Sequence, residues 1–394
     1  MLFEKTQIEG LFCFENRKEI FEGVHRSFKF VVLTFKKSAT PRLQKAGETN
    51  TSAPPDDLLA PQAIAVAGGS GTTRFPAAFM RHDAEELARF PEEGALWLEV
   101  ELIKRLSPNS YSVMEFKTAL DLDIASKLLK FPLLGDTVPN AWNLTLHREL
   151  HMTDDAPLFR TQPEANALPL VEGKMIHQFE FARQAFNYWV PELAGRQLLM
   201  GRGADEGQVL PYQRYRFAHR SVGRSTDERT MIATILPGKV FSGHSLNVAV
   251  EPVGADDQLF LLGFMNSFVL DYYLRLQVSA NLTMFFIYQC PVPRLSRVDH
   301  RFAPIVQRAA RLVCGTSEFD GLADIVGWKD HREGVSGPTE RAQLRAELDG
   351  LVAHMYGLTE VEFAHILGTF PLVADAAKVD ARNAYRRVAS GSIQ

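Results

Sequence analysis

Little in this chain points to an export route, a membrane or a metal. Three cysteines, Cys13, Cys290 and Cys314, stand among 394 residues. Their odd number and the lack of any CxxC spacing argue against a disulfide framework or a zinc knuckle, and they read as reduced thiols in a cytoplasmic protein. The longest apolar region, Leu259 to Leu276, is interrupted by Asn266, Asp271 and Arg275, so it does not suit a membrane span. The opening MLFEKTQIEG carries acids and lacks the apolar core of an export signal. An excess of positive charge is missing too. Net charge is -4, from 43 Lys and Arg against 47 Asp and Glu. That argues against a strongly cationic, non-specific nucleic-acid binder and leaves room for a local basic face.

Recognisable catalytic motifs are equally scarce. Gly68 to Gly71, GGSG, has neither the preceding strand nor the GxGxxG spacing of a nucleotide loop. An enzyme that methylates a base amino group needs an Asn/Asp-Pro-Pro-aromatic tetrapeptide. It accepts the amino hydrogen bonds and stacks on the flipped base. The one Pro-Pro pair, Pro54-Pro55, lies between Ala53 and Asp56. His147 and His151 in HRELH have i, i+4 spacing, but Arg148 stands where a zinc protease needs its glutamate. Glu115 and Lys117 match half of a magnesium-nuclease site, a two-residue match expected by chance. No autonomous chemistry is expected, and no cofactor or metal is assigned to this chain.

What is present is an ordinary globular composition, 46% hydrophobic and 23% charged, with room for two or three domains. The fold class expected is α/β mixed. Residues 1–37 read as a strand pair, LFCFEN and FKFVVLTFKK, that needs neighbours to cover its edges. Residues 38–75 are rich in Pro, Ala, Gly, Ser and Thr and read as a linker or insertion. Residues 76–165 read as a helical connecting region, with Leu96, Val100, Ile103 and Leu106 on one helix face and a second helix at 120–129. Residues 166–300 mix strands, such as TMIATILP, with a buried helix over DQLFLLGFMNSFVLDYYLRLQ. Residues 301–394 read as helical. Thr339 is expected to cap a helix striped by Leu344, Leu348, Leu351, Val352 and Met355, and Thr359 with Glu362 to form a capping box.

Two segments carry groups suited to DNA. Arg214, Arg216, Arg220, Arg224 and Arg229 fall within sixteen residues, among Ser221, Ser225, Thr226, Asp227 and Glu228. Guanidinium forks match guanine edges and phosphates, and hydroxyls donate to phosphates. The same segment also reads as a solvated basic loop paired with Asp227 and Glu228. In EGKMIHQF, Lys174 suits a phosphate, and His177 and Gln178 suit a base edge. A histidine beside apolar residues is more often structural. The aromatic run Phe186 to Val190 reads as core.

Several blocks, in order, resemble the C-terminal part of type IIG restriction-modification adenine-specific DNA methyltransferases. They are FENRKEIFEGVHRSFKFVVLTF, LSPNSYSVMEFK, LHRELHMTDD, LPLVEGKMIHQF, RSTDERTMIATILP, MNSFVLDYYLR with NLTMFFIYQCPVP, and RAELDGLVAHMYGLTEVEF. The resemblance implies the truncated edge of a methyltransferase sheet, an α+β target recognition domain and a helical C-terminal support. It implies that Phe21 stacks on an extruded adenine. It also places Lys174, His177, Arg224, Thr226, Glu228 and Arg229 in motifs of the recognition part. Double-stranded DNA and a methyltransferase catalytic domain or subunit are the implied partners, with S-adenosylmethionine held by that catalytic half. The blocks begin where the family's cofactor-binding sheet has nearly finished. A split enzyme, a start placed too late and a decayed gene all fit. The alternative to DNA recognition is an interaction subunit that docks on a methyltransferase or nuclease without touching DNA. A third reading gives the chain a hydrolytic site at Glu115, Lys117, His147 and His151.

Overall fold

Alternating apolar side chains make the first two strands, β1 (Thr6–Glu15) and β2 (Lys29–Lys37), which pair antiparallel as expected. In the computed structural model, the described residues are 2–26, 28–37, 71–108, 111, 113–181, 184–251, 253–278 and 281–393. They form two units, Met1–Ala119 and Leu120–Gln394. The mixed α/β class holds.

The strand pair finds its neighbours within this chain. β3 (Arg74–Arg81) runs parallel to β1, and β4 (Leu96–Glu99) pairs antiparallel with β3, giving the order β2-β1-β3-β4. Thr72 fastens the incoming chain to β1. Its Oγ1 accepts from Ile8 N at 2.8 Å and donates to Thr6 O at 2.6 Å. The expected linker 38–75 therefore ends earlier than its composition suggests, and its residues 38–70 lie outside those described. The expected helical region from 76 opens with two strands. Leu96 and Val100 do not share a helix: the chain is extended through Glu99 and helical only over Val100–Leu106. Pairing with β3 and full burial of Leu98 outweigh the weak local helical preference.

One face of this sheet is covered: Phe12, Phe14 and Ala78 pack with Phe30, Val32, Leu87 and Phe90. On the other face of the outer strand β2, Val31, Leu33 and Phe35 remain 54%, 37% and 50% exposed.

The second unit holds two further sheets. β5 (Leu146–His147), β11 (Leu246–Ala249), β8 (Arg216–Arg220) and β9 (Ala233–Leu236) form an antiparallel sheet in that order. β6 (Ala167–Val171) pairs with β7 (Trp189–Pro191) and runs parallel to β10 (Phe241–Ser242). Ala218, Leu236, Leu246 and Val248 pack with Val171, Met175 and Ile176 in a shared core. The helix Ala255–Met265 packs on β8 and β9 and also on the helix Phe302–Val313. A Cβ at Gly263 would come within 2.6 Å of Ile305, so this crossing needs glycine. Because that helix packs on both sets of elements, the boundary expected at 300 does not separate two compact units.

The long buried helix expected from 257 to 277 is two helices, Ala255–Met265 and Phe268–Arg275. Asn266 and Ser267 make the break. The Asn266 side chain pairs with both backbone groups of Ala233, at 3.1 and 3.0 Å, and Ser267 Oγ caps the second helix by accepting from Leu270 N. Farther on, Pro338–Met355 is capped at Gly337 with Pro338 in the first turn, not by Thr339. The Thr359–Glu362 capping box forms as expected at the start of Glu360–Gly368. The helix Asp375–Ala389 follows. Among the described residues, no helix is long and apolar enough to cross a membrane.

Candidate nucleic-acid interface

The two segments singled out in the sequence meet at Ser245, which follows the tight turn between β10 and β11. Its Oγ accepts from Gly173 N at 2.8 Å, beside Lys174. Its carbonyl accepts from Ser221 N at 2.9 Å, at the start of the arginine loop. In the same turn, Gly243 N donates to Val171 O at 2.9 Å and His244 N to Leu150 O at 2.8 Å. Four connections are thus stitched into one surface by three backbone bonds and the Ser245 hydroxyl.

The loop 221–228 is built to hold its shape. Arg224 N donates to Asp227 Oδ2 at 3.0 Å, Asp227 N returns to Arg224 O at 3.1 Å, and Thr230 Oγ1 also donates to Arg224 O. Beneath it lies a charged anchor. Asp271, with a fully buried side chain, accepts from Arg229 Nε at 2.7 Å, from Arg275 Nε at 3.2 Å and from Thr230 N at 3.1 Å. Arg275 Nη2 then donates to Asp227 O at 2.6 Å and Glu228 O at 2.9 Å. The outcome is a fixed backbone that carries Arg224, Thr226 and Glu228 exposed at its tip.

The expected contact residues therefore sort into two groups. Lys174 is exposed, 3.3 Å from Glu172, and Arg214, Arg224, Thr226 and Glu228 are exposed as well. The rest do not present themselves to a ligand. Gln178 is buried and gives its amide hydrogens to Met231 O and Asn266 O, at 2.9 and 3.3 Å. Arg216 is buried against Glu149 and donates to Val240 O. Burial pulls its pKa down while Glu149 opposes that shift. Arg220 is partly buried and donates to Ile176 O. Arg229 is 11% exposed and lies over the Phe268 ring at 4.3 Å. His177 is partly buried, and its backbone pairs both ways with Glu180 at 3.0 Å. Charges inside a folded unit need partners, and these arginines have found them in the fold.

Groups that the sequence reading weighed only for metal or hydrolytic chemistry stand on the same surface, beside a histidine that it passed over. Arg148 and His151 are exposed, and the His151 ring stacks on His244 at 4.7 Å. Arg148 Nε donates to Asn247 Oδ1 at 3.2 Å. The signal for His244 was the GH turn between the short apolar runs of KVFSGHSLNVAV, which marks a strand connection. His147 and His151 do not share a helix face, since His147 ends β5. Among the described residues, no group of three or more His, Cys, Asp or Glu side chains is placed to hold a metal. Glu115 forms an ion pair with Lys29 at 2.6 Å. In the other unit, Phe21 is 52% exposed, with its ring edge-on to Phe30 at 4.6 Å.

No family model matches this chain, and no curated protein matches it. Solved structures that resemble it include the type IIL restriction-modification enzyme MmeI in complex with DNA, at a TM-score of 0.40 and 10% identity over 98% of this chain. Another is the type IIG restriction endonuclease BpuSI, at a TM-score of 0.36 and 12% identity over 90% of this chain. This chain spans 46% and 45% of the lengths of those two.

Proposed function

We propose that this chain is the sequence-reading segment of a cytoplasmic restriction-modification adenine DNA methyltransferase and binds double-stranded DNA through the Ser245-linked surface. The supporting observation is that Lys174 and the Arg224–Glu228 tip share one rigid, solvent-facing surface while the remaining arginines serve the fold. Lys174 and Arg214 would neutralise phosphates. Arg224, Thr226 and Glu228 would reach base edges, where an arginine fork matches guanine and a carboxylate accepts from a cytosine amino group. The ordered blocks of the sequence supply the adenine-methyltransferase part of the reading.

The described residues do not fit S-adenosylmethionine. β1 runs into the Asn16–Lys18 turn and β3 into His82-Asp83, with no glycine-rich loop leading to a helix in either case. In this reading methyl transfer is supplied by a catalytic partner domain or subunit, as the ordered sequence blocks imply. A selection from a randomised duplex pool at moderate salt tests the reading. Enrichment of one short motif by the wild type, and its loss in the Lys174→Ala/Arg224→Ala double variant, is the expected result. Equal retention of all sequences by both proteins would overturn it.

A second reading, docking on a methyltransferase or nuclease subunit without DNA contact, draws on the open face of β2. An outer strand bearing Val31, Leu33 and Phe35 suits a protein partner. It predicts that Val31→Lys abolishes partner capture and that duplex retention shows no salt dependence.

A further inference from the structure

Arg148 follows β5 on a backbone pinned from both sides. Before it, Leu146 and His147 pair with Ala249 and Val248 of β11. After it, Glu149 has a side chain only 2% exposed. Its Oε2 accepts from Ser242 N at 2.8 Å and Ser242 Oγ at 2.7 Å, and its Oε1 accepts from the buried Arg216. Leu150 N then donates to Ser242 O at 3.0 Å. The exposed Arg148 side chain therefore leaves the fold from a fixed point.

The side chain itself is also held. Its Nε donates to Asn247 Oδ1 at 3.2 Å. Asn247 is fully buried on β11, and among the described residues its side chain has no other partner. A buried amide costs stability unless it is bonded. One whose single bond runs outward to an exposed arginine is explained by what it does to that arginine. It sets the guanidinium plane through Nε and leaves Nη1 and Nη2 uncommitted. Among the described residues, Arg148 has no carboxylate partner and no further hydrogen bond.

The surroundings supply no counter-charge. His219 stands opposite Asn247 in the β8–β11 register and is fully buried. Burial holds its pKa down at about 4, against the pull of Arg220 O, to which Nδ1 donates at 2.8 Å, and Arg148 also opposes its protonation. His244 is disfavoured as a cation too, by burial first and then by His151 and Arg148. Its Nδ1 accepts from Met152 N at 3.2 Å, which puts the proton on Nε2. Asp154 and Asp155 serve their own loop, at 3.3 Å from His151 Nδ1 and 2.7 Å from His151 N. The charge of Arg148 is left for a partner outside the fold.

We propose that Arg148 reads a guanine of the duplex through its Nη1 and Nη2 groups, and that Asn247 is the positioning residue that aims it. The proposal deepens the sequence-reading model and rests on it for the duplex. A phosphate needs positive charge and accepts many approaches, whereas a base edge needs a fork held at a set angle. A guanidinium locked through Nε supplies that fork, preorganised by its support. End-on, its two Nη groups match the adjacent O6 and N7 acceptors of guanine in the major groove.

Selection from a randomised duplex pool with wild type, Arg148→Ala, Asn247→Leu and Asn247→Asp tests it. Wild type should enrich a motif containing a guanine whose preference falls roughly fivefold or more in Arg148→Ala, with the other positions kept. Asn247→Leu keeps the arginine charge and should relax the same position alone. Asn247→Asp keeps an acceptor for Nε and should restore the guanine. Thermal unfolding shows which Asn247 variants fold, and the exposed Arg148 variant decides the reading of guanine without them. A wild-type motif in Arg148→Ala, with the salt slope lowered by about 0.9, would make the residue a phosphate contact and overturn the assignment. A guanine requirement kept by folded Asn247→Leu would overturn the positioning role. No motif enriched by wild type would overturn the sequence-reading model and this proposal with it, whereas a motif that survives in Arg148→Ala overturns this proposal alone.

Discussion

Replacing Arg229 with alanine should unfold the protein more than it disturbs any DNA contact. The guanidinium is 11% exposed, bonds Asp271 at 2.7 Å and Asn266 O at 2.6 Å, and covers the Phe268 ring at 4.3 Å. Asp271 has no exposed side-chain surface, so the substitution leaves a buried carboxylate with Arg275 and the Thr230 amide as its remaining donors. Breaking a buried ion pair from one side costs roughly 3–5 kcal/mol. Arg275 stays in place, so the low end applies, about 3 kcal/mol. For a unit of this size that corresponds to a fall in Tm of roughly 6–12 °C. Differential scanning calorimetry of Arg229→Ala beside Arg224→Ala makes the comparison, since the exposed Arg224 should move Tm by less than about 2 °C. A wild-type Tm in Arg229→Ala together with a selective loss of duplex binding would refute the reasoning and return Arg229 to the contact set.

Other expectations follow from the same geometry. Lys174→Ala and Arg214→Ala should each lower the slope of log affinity against log salt by about 0.9 if each side chain meets one phosphate, measured by fluorescence anisotropy on a duplex. An unchanged slope removes that residue from the backbone contacts. Burial raises the pKa of Asp349 to about 7, against the opposing pull of Arg229, the Phe268 amide and Arg345. The folded state therefore holds a proton that the unfolded chain releases near pH 4, and this group's contribution to stability falls as pH rises from about 4 to about 7. Asp349→Asn should flatten that part of the curve of urea midpoint against pH. Gly223→Ala brings a Cβ to within 2.3 Å of Thr230 O, so the arginine loop must shift. Loss of duplex affinity with a stability cost of roughly 1–3 kcal/mol is expected, and wild-type affinity would show that the loop is not the reader.

Local signals in the sequence were legible where short-range physics decides the outcome. The Thr359–Glu362 box and the helix Ala119–Leu128 depend on neighbours three or four residues away, and both appear as read. The strand pair was legible for the same reason, through its alternation and β-branched content. The strand at Leu96–Glu99 was not, because its apolar residues also fit a helical stripe and only β3 selects the extended form. The break at Asn266 was hidden too. A polar residue inside an apolar helix gives no hint that its amide will pair with Ala233, thirty-three positions away. Proximity in sequence likewise did not foretell the site. The arginine segment and the Lys174 segment come together through Ser245, a residue with no distinguishing mark of its own.

The division among the arginines has a consequence for how specificity changes. Arg216, Arg220 and Arg229 look like contact residues in the sequence, yet each spends its donors on the fold: on Glu149 and Val240 O, on Ile176 O, and on Asp271 and Asn266 O. Arg275 extends the anchor to the carbonyls of Asp227 and Glu228, so the loop backbone is held by bonds that do not involve the Arg224, Thr226 and Glu228 side chains. A rigid platform with replaceable tips lets the side chains vary while the ordering cost has already been met in folding. Exchanging Arg224, Thr226 and Glu228 together should therefore leave Tm within about 2 °C of wild type, since exposed substitutions seldom move stability much. The motif enriched from a random duplex pool should change at one or two positions. A collapsed Tm would show that the tips support the loop, and an unchanged motif would place base reading elsewhere, with Arg148 and His244 the next side chains to exchange.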